Sequence, residues 1–392
     1  MVTRYFKPLK SRSFFIFGPR GVGKSTWIRA TFKANDIIYL NFLDPEVFDK
    51  YLLDPKILNQ VLALKENKNK IIVIDEIQRV PEILNIVHNE ISLNQKIFIL
   101  TGSSARKLKQ KGVNLLAGRA SVYYLHPFSM FELKNQFELS KALERGLLPE
   151  AYFAETYESA SEYLKSYVYT YIEKEIQQEQ WVKKLEPFRK FLQIAAQSNS
   201  KIINKSKISR QVGVESTTIE NYFEILEETM IGFRLPGFDA SVRKQVRLAE
   251  KFYFFDTGVV RAIEKTLTIP MINHTSYYGV LFENFIVSEI RKMIEYDRLD
   301  WTISYLQTKE NFEIDLVILL PTKKLILIEI KSTENLTDED FRSMLKLGPE
   351  LEKKYKLQKM MISQDQTERI VQGIHCLHYK DLQKINDIFS EF

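Results

Sequence analysis

The residues with the clearest chemistry lie near the start of the chain. Gly18-Pro19-Arg20-Gly21-Val22-Gly23-Lys24-Ser25, followed by Thr26, matches the pattern G-x-x-x-x-G-K-[ST] at every position. Such a segment cradles phosphate. Its glycines let the backbone curl until successive N–H groups face one anion, and a helix opening at Lys24 adds positive partial charge. In this role Lys24 reaches the outer phosphates and the Ser25 hydroxyl ligates Mg²⁺. About 50 residues on, Ile71-Ile72-Val73-Ile74 runs into Asp75-Glu76. An apolar strand ending in two carboxylates can hold the metal through Asp75 and orient the attacking water through Glu76. A third polar point follows the next apolar run, where Thr101, or failing it Ser103, can sense the terminal phosphate; a Ser/Thr helix cap is the plain alternative. Arg119 can act as an arginine finger on a neighbouring copy's nucleotide, or it is a surface or ion-paired arginine.

A second constellation lies towards the other end. Glu313-Ile314-Asp315 opens one apolar strand, and Glu329-Ile330-Lys331 closes the next, with Glu329 14 residues after Asp315. Side chains two apart share a strand face, so Glu329 and Lys331 point the same way. Asp315 and Glu329 are hard oxygen ligands suited to Mg²⁺, Lys331 can orient a hydrolytic water, and Glu283 on the preceding helix is an additional ligand candidate. The alternative is a fold kept without catalysis, in which these residues pair at the sheet end.

These groups need elements to position them. Phe14–Phe17, Ile37–Phe42, Ile71–Ile74, Ile97–Leu100 and Val122–Leu125 are near-continuous apolar runs, the mark of strands buried on both faces of a parallel sheet. Helical patterns between them predict an α/β layered domain. From about 132 to 200 the pattern is helical, with Tyr163, Tyr167, Ile172 and Ile176 on one face. Ser206–Val212, Gly213 and Ser216–Met230 predict helix, turn, helix, followed by two short strands. The remainder predicts a helix over 278–295, strands over 301–307, 312–320 and 324–331, a helix over 338–355, strands over 358–363 and 374–379, and a last helix.

Composition narrows the classes. The chain has 392 residues, enough for two to three domains, with 45% hydrophobic and 27% charged residues. A single cysteine, Cys376, excludes a disulfide scaffold or a cysteine zinc cluster and suits a reducing compartment. No apolar run approaches the ~20 residues of a membrane span. Met1 to Lys10 lacks the apolar core of a signal peptide, so a cytoplasmic protein is expected. The net charge of +6 is unevenly spread. Residues 1–135 carry 21 basic and 11 acidic side chains, residues 136–270 carry 19 of each, and residues 271–392 carry 16 and 20. Part of the basic excess falls at Arg106, Lys107, Lys109 and Lys111, a solvated face or a contact for nucleic-acid phosphate.

GPRGVGKST (18–26), YLNFLDPE (39–46), IDEIQRVPEIL (74–84), LTGSSARKL (100–108), LAGRA and LHPFSMFEL (125–133) together resemble the AAA-type ATPases of bacteria and archaea that are fused to a C-terminal nuclease-like domain. YLKSYVYTYIEKEI (163–176), KFYFFDTGVV (251–260), FENFIVSEI (282–290) and the acidic strands extend the resemblance over nearly the whole chain. It implies a P-loop ATPase domain over 1–135, a helical lid or linker over 136–200, a winged-helix-like region over 201–265 and a restriction-endonuclease-like α/β domain over 266–392. Glu283, Asp315, Glu329 and Lys331 fit the PD-(D/E)xK nuclease pattern of that last domain. ATP and Mg²⁺ are the implied cofactors, with a homo-oligomer and DNA as candidate partners. Charge opposes DNA binding by the second of the paired helices, since residues 215–230 hold Glu215, Glu220, Glu224, Glu227 and Glu228 and no Lys or Arg. A structural or subunit-contact role suits that helix better, while the basic first helix and its approach (Lys201, Lys205, Lys207, Arg210) leave a phosphate-backbone contact by that face open. The expected activity is ATP hydrolysis that drives or switches the downstream domains; an ATP-gated, Mg²⁺-dependent DNA nuclease and a non-cleaving nucleotide-dependent switch are the alternatives.

Overall fold

Five short strands form the first sheet: β1 (Phe14–Phe17), β2 (Ile37–Asn41), β3 (Ile71–Asp75), β4 (Phe98–Gly102) and β5 (Ser121–Tyr124). All neighbours are parallel, in the order β2-β3-β4-β1-β5. The central strands β1 and β4 are buried along their whole length, which is why their sequences are apolar without alternation. Helices α1 (Lys24–Thr31), α2 (Pro45–Leu53), α3 (Ile57–Ala63) and α4 (Leu84–Asn94) lie between strands. Phe15, Ile74 and Leu100 pack in its core, and burying each contributes about 1.5–3 kcal/mol.

The computed structural model describes residues 2–104, 116, 118–174, 176, 182, 184–239, 248–321 and 323–385. The chain divides into two compact units, Met1–Phe128 with Ile225–Ile231, and Ser129–Glu224 with Gly232–Phe392. The basic residues at 106, 107, 109 and 111 lie outside the described residues.

The second unit opens with helices. Tyr157–Ser166 continues into a π-helical turn, Tyr167–Lys174. The sequence spacing shows why: the step from Tyr167 to Ile172 is five residues, the π repeat, and both side chains are buried. Helices Lys205–Val212 and Ser216–Glu228 meet at Gly213, and β7 (Gly232–Leu235) and β8 (Lys251–Phe254) follow. A two-residue strand not expected from the sequence, β6 (Lys201–Ile202), joins them in the antiparallel order β6-β8-β7.

The 22-residue helix Ser276–Asp297 precedes a six-stranded sheet of β9 (Thr302–Gln307), β10 (Glu313–Leu319), β11 (Lys324–Ile330), β12 (Lys356–Ser363), β13 (Arg369–Val371) and β14 (Ile374–His378). The order is β13-β14-β12-β11-β10-β9, antiparallel among β9, β10 and β11, parallel from β11 through β12 to β14. The helix expected over 338–355 is shorter. A capping box at Thr337 starts a tight turn, Asp338–Phe341, and the α-helix proper is Arg342–Glu352. Strand β13 escaped the sequence reading because it is a three-residue edge whose Ile370 is exposed. Among the described residues no helix is long and apolar enough to cross a membrane.

Candidate functional site

Strand order decides what meets what. Strands β3, β4 and β1 are neighbours and parallel, so their carboxyl ends lie side by side on one edge, where ligands of open α/β sheets bind. The phosphate loop leaves β1 there, Asp75 and Glu76 stand at the end of β3, and Thr101 lies near the end of β4.

The loop is shaped by its glycines. A Cβ on Gly18 would stand 2.2 Å from the Leu125 carbonyl oxygen, so only glycine fits. Gly23 adopts φ +91° as the N-cap of α1 and offers no capping side chain, which leaves the first N–H groups of the helix open to an anion. Gly18→Ala is expected to destabilise the protein by about 1–3 kcal/mol through overpacking. A denaturant melt checks this, and an unchanged midpoint contradicts it.

Lys24 is buried and folds back over its own loop, its Nζ donating to the Gly18 carbonyl at 2.6 Å and to the Pro19 carbonyl at 3.1 Å. Ser25 Oγ donates to Asp75 Oδ2 at 2.7 Å. The same carboxylate accepts from the Tyr39 hydroxyl and, on its other oxygen, from Thr101. Burial, then the bond to Asp75, holds the Tyr39 hydroxyl above its ordinary range. The Glu76 amide donates to Thr101 Oγ1 at 3.2 Å. Ser25, Asp75, Thr101 and Glu76 are thus one connected chain of polar groups, and the Ser25 and Asp75 oxygens are the hard donors that suit Mg²⁺. Thr26 is exposed on α1.

Glu76 is buried in the left-handed region at φ 61°, a strained conformation of the kind that gathers at functional sites. Its carboxylate accepts from the Gln78 amide, which also reaches Ser103 Oγ at 3.3 Å. Ser103 therefore touches the glutamate's holder, while Thr101 touches Asp75 itself. Tyr39 and Gln78 were not singled out from the sequence; Tyr39 heads the YLNFLDPE segment, and the β2–β3 register sets it opposite Val73, two residues before Asp75, where its hydroxyl reaches the carboxylate. Arg4 is a third such residue, donating to the Val22 carbonyl of the loop at 2.9 Å and to the His126 carbonyl at 2.5 Å.

Arg119 is not brought to this edge. It precedes β5, and its Nε donates to Ser92 Oγ at 2.7 Å near the end of α4. Helix α4 returns from the end of β3 to the start of β4, so Arg119 lies at the opposite edge of its own sheet, exposed.

The second constellation is assembled as well. The register pairs Leu316 with Ile328, which sets Asp315 opposite Glu329, and Asp315 Oδ2 accepts from the Ile330 amide at 2.8 Å. Lys331 Nζ donates to Glu329 Oε1 at 2.8 Å, on the shared face expected from the spacing. The structure adds two residues from β8. Lys251 Nζ lies 3.1 Å from Glu283, 2.5 Å from Glu313 and 3.9 Å from Asp315, and the Tyr253 hydroxyl donates to Glu283 at 2.7 Å. Among the described residues no group of three or more His, Cys, Asp or Glu is disposed to hold a metal ion.

Four carboxylates therefore share two ammonium groups. Two of the acids carry the imbalance: burial, then the Asp315 charge, pushes Glu283 up to about 7 and Glu329 up to about 8. A folded-state value above the ordinary 4.5 means that the folded chain binds the proton more tightly. The stability this supplies is complete below the unfolded value and is lost as pH rises through the folded one. The melting temperature is expected to fall as pH rises from about 5 to about 8. Glu329→Gln, which mimics the protonated form, is expected to flatten part of that fall; an identical slope in the variant contradicts the assignment.

Part of the charge on the paired helices is already paired. Glu220 is bonded by both Lys205 and Arg234, and Arg234 also reaches Glu250 at 3.3 Å. Burial would raise the Glu220 carboxyl, but the two cations hold it below its ordinary range.

Comparisons with known proteins agree with the first sheet. Residues 10–134 match a family described as an AAA domain, residues 136–268 a domain of unknown function, DUF8612, and residues 278–382 another, DUF4143. The chain is 22% identical over 305 residues to the uncharacterized protein Mb2031c of Mycobacterium bovis, and equally to Rv2008c of Mycobacterium tuberculosis. Those stretches are 77% of this chain and 66% of each relative. An uncharacterized Haemophilus influenzae protein is 26% identical over 250 residues, 58% of this chain and 61% of that one. The chain thus spans just under two thirds of these relatives. A crystal structure of protein VC1899 from Vibrio cholerae covers 96% of this chain and 97% of its own at 12% identity, with a TM-score of 0.20 that carries no argument. The parallel sheet, its phosphate loop and the family match together give residues 10–134 as an AAA-type, P-loop ATPase-like domain, with a DUF4143 domain over 278–382.

Proposed function

We propose that the chain binds ATP with Mg²⁺ and hydrolyses it, using the nucleotide state to set the arrangement of its downstream domains. The observation that carries this reading is the polar chain Ser25–Asp75–Thr101–Glu76 beside the phosphate loop. Lys24 leaves the loop carbonyls it now bonds and neutralises the outer phosphates. Ser25 and Asp75 hold the Mg²⁺, which when bound neutralises phosphate charge. Thr101 fixes the Asp75 carboxylate and contacts the terminal phosphate. Glu76 orients the water and takes its proton. Arg119 serves a neighbouring copy, since in its own chain it faces the wrong edge. Lys24→Ala is expected to lower turnover about 10²–10³-fold by removing a charge from the transition state, while the chain still folds. Unchanged ATP turnover in a folded Lys24→Ala protein sinks the assignment.

The paired helices with the β6-β8-β7 sheet are best accounted for as a winged-helix-like region over 201–265, after a helical lid or linker over 136–200. The six-stranded sheet is best accounted for as a restriction-endonuclease-like domain over 266–392. Two readings of its acids remain. Asp315 opposite Glu329, with Lys331 beside it, favours an ATP-gated, Mg²⁺-dependent nuclease. Lys251 within the same cluster favours a non-cleaving interaction module, and we adopt that one. The paired helices fit a protein contact better than DNA, because Glu220 holds Lys205 and Arg234. Plasmid incubated with the protein, Mg²⁺ and ATP is expected to stay intact; nicking that Lys331→Ala abolishes would restore the nuclease.

A further inference from the structure

Lys251 is the least expected residue of the second unit. It sits within an apolar strand, Lys251-Phe252-Tyr253-Phe254, and its side chain is 3% exposed. A buried ammonium costs several kcal/mol unless it is well paired. Here it is paired three times over, its Nζ 2.5 Å from Glu313, 3.1 Å from Glu283 and 3.9 Å from Asp315. Its acids come from two other elements, Glu283 from the helix Ser276–Asp297 and Glu313 and Asp315 from β10. Tyr253, two residues along and on the same face of β8, fixes Glu283 by its hydroxyl.

One charge in the midst of three carboxylates does the electrostatic work of a bound metal ion: it offsets repulsion between acids that share a low-dielectric site. The cluster is still short of positive charge, having four acids to the ammoniums of Lys251 and Lys331. It is also short of donors. Glu329 is 5% exposed, feels the charges of Asp315 and Glu313, and its Oε2 has no hydrogen-bond partner.

We propose that Lys251 is the resident cation of this cluster and keeps a latent divalent-cation site closed. While β8 carries the ammonium, the acids take up no Mg²⁺. Removing that charge lets one divalent ion bind among Glu283, Glu313 and Asp315. The inference rests on the non-cleaving reading of the second unit and stands apart from ATP hydrolysis.

The test is Mn²⁺ binding to the full chain without nucleotide, followed by the loss of the free-ion electron paramagnetic resonance signal. Lys251→Met is expected to bind one Mn²⁺ more than the wild type. Lys251→Arg, which keeps the charge, and Lys251→Met with Asp315→Asn are expected to bind no more than it. The melting temperature of Lys251→Met is expected to lie below that of the wild type and to rise with Mn²⁺. No additional Mn²⁺ on a folded Lys251→Met overturns the proposal. Should that variant not fold, the wild type and Asp315→Asn decide. Equal Mn²⁺ binding by the two supports a closed site, and loss of an ion in Asp315→Asn shows that the acids accept metal with Lys251 in place, which overturns it. Because no nucleotide is present, failure here leaves the ATPase assignment untouched, and loss of ATP turnover leaves this one untouched.

Discussion

Glu76→Gln is expected to leave ATP bound and slow its hydrolysis about 10²–10⁴-fold, the range lost with a general base. This carboxylate is bonded by the Gln78 amide rather than by the loop's glycines. The loop's own bonds run from Lys24 to the Gly18 and Pro19 carbonyls, and Ser25 is held by Asp75. Glutamine has the same shape, keeps an acceptor for the Gln78 amide and leaves the Glu76 backbone bond to Thr101 in place. It removes only the capacity to take a proton. Binding measured with a fluorescent ATP analogue and turnover measured by phosphate release should therefore part company. Parallel loss of both would make Glu76 a structural residue of the site, and unchanged turnover would remove it from the chemistry.

Arg119→Ala carries the largest expected effect, about 10³–10⁵-fold in turnover if the guanidinium completes a neighbour's site. The geometry makes the prediction specific. Arg119 lies at the edge of the sheet where strands begin, bonded to Ser92, and the phosphate loop lies where β1 ends. It cannot serve its own nucleotide, so its effect must appear between copies. Mixing Arg119→Ala with Glu76→Gln is then expected to restore turnover. The first supplies an intact Glu76 and the second an intact arginine to it. No recovery on mixing, or full activity of Arg119→Ala alone, removes the finger.

The first sheet was legible because its strands are buried on both faces, and such strands write themselves as apolar runs. The ends were less so. Strand β4 extends through Thr101 to Gly102, where a reading by hydrophobicity stops at Leu100, because the threonine is buried by bonding Asp75 rather than by being apolar. The phosphate loop was legible for another reason: its chemistry is local, with every group within eight residues. Tyr39 and Arg4 act on the same site from a neighbouring strand and from the start of the chain, and Gln78 from the turn just past Glu76; their residue types alone do not give these contacts.

The second constellation shows the same limit. Asp315, Glu329 and Lys331 belong to one hairpin, so residue order and strand period place them together. Lys251 reaches them from a different sheet, with Glu283 32 residues away in the chain. Within Lys251-Phe252-Tyr253-Phe254 it reads as the polar end of a strand, and only the folded arrangement shows three carboxylates around it.

The central claim is that the edge formed by β1, β3 and β4 hydrolyses ATP. The direct measurement is a single turnover, with protein in excess over radiolabelled ATP, in Mg²⁺ and again with the metal chelated. The account predicts conversion to ADP and phosphate with Mg²⁺ in the wild type, and intact ATP with chelator or in Lys24→Ala. ATP that stays intact on wild-type protein in Mg²⁺, or is consumed equally by Lys24→Ala, contradicts it.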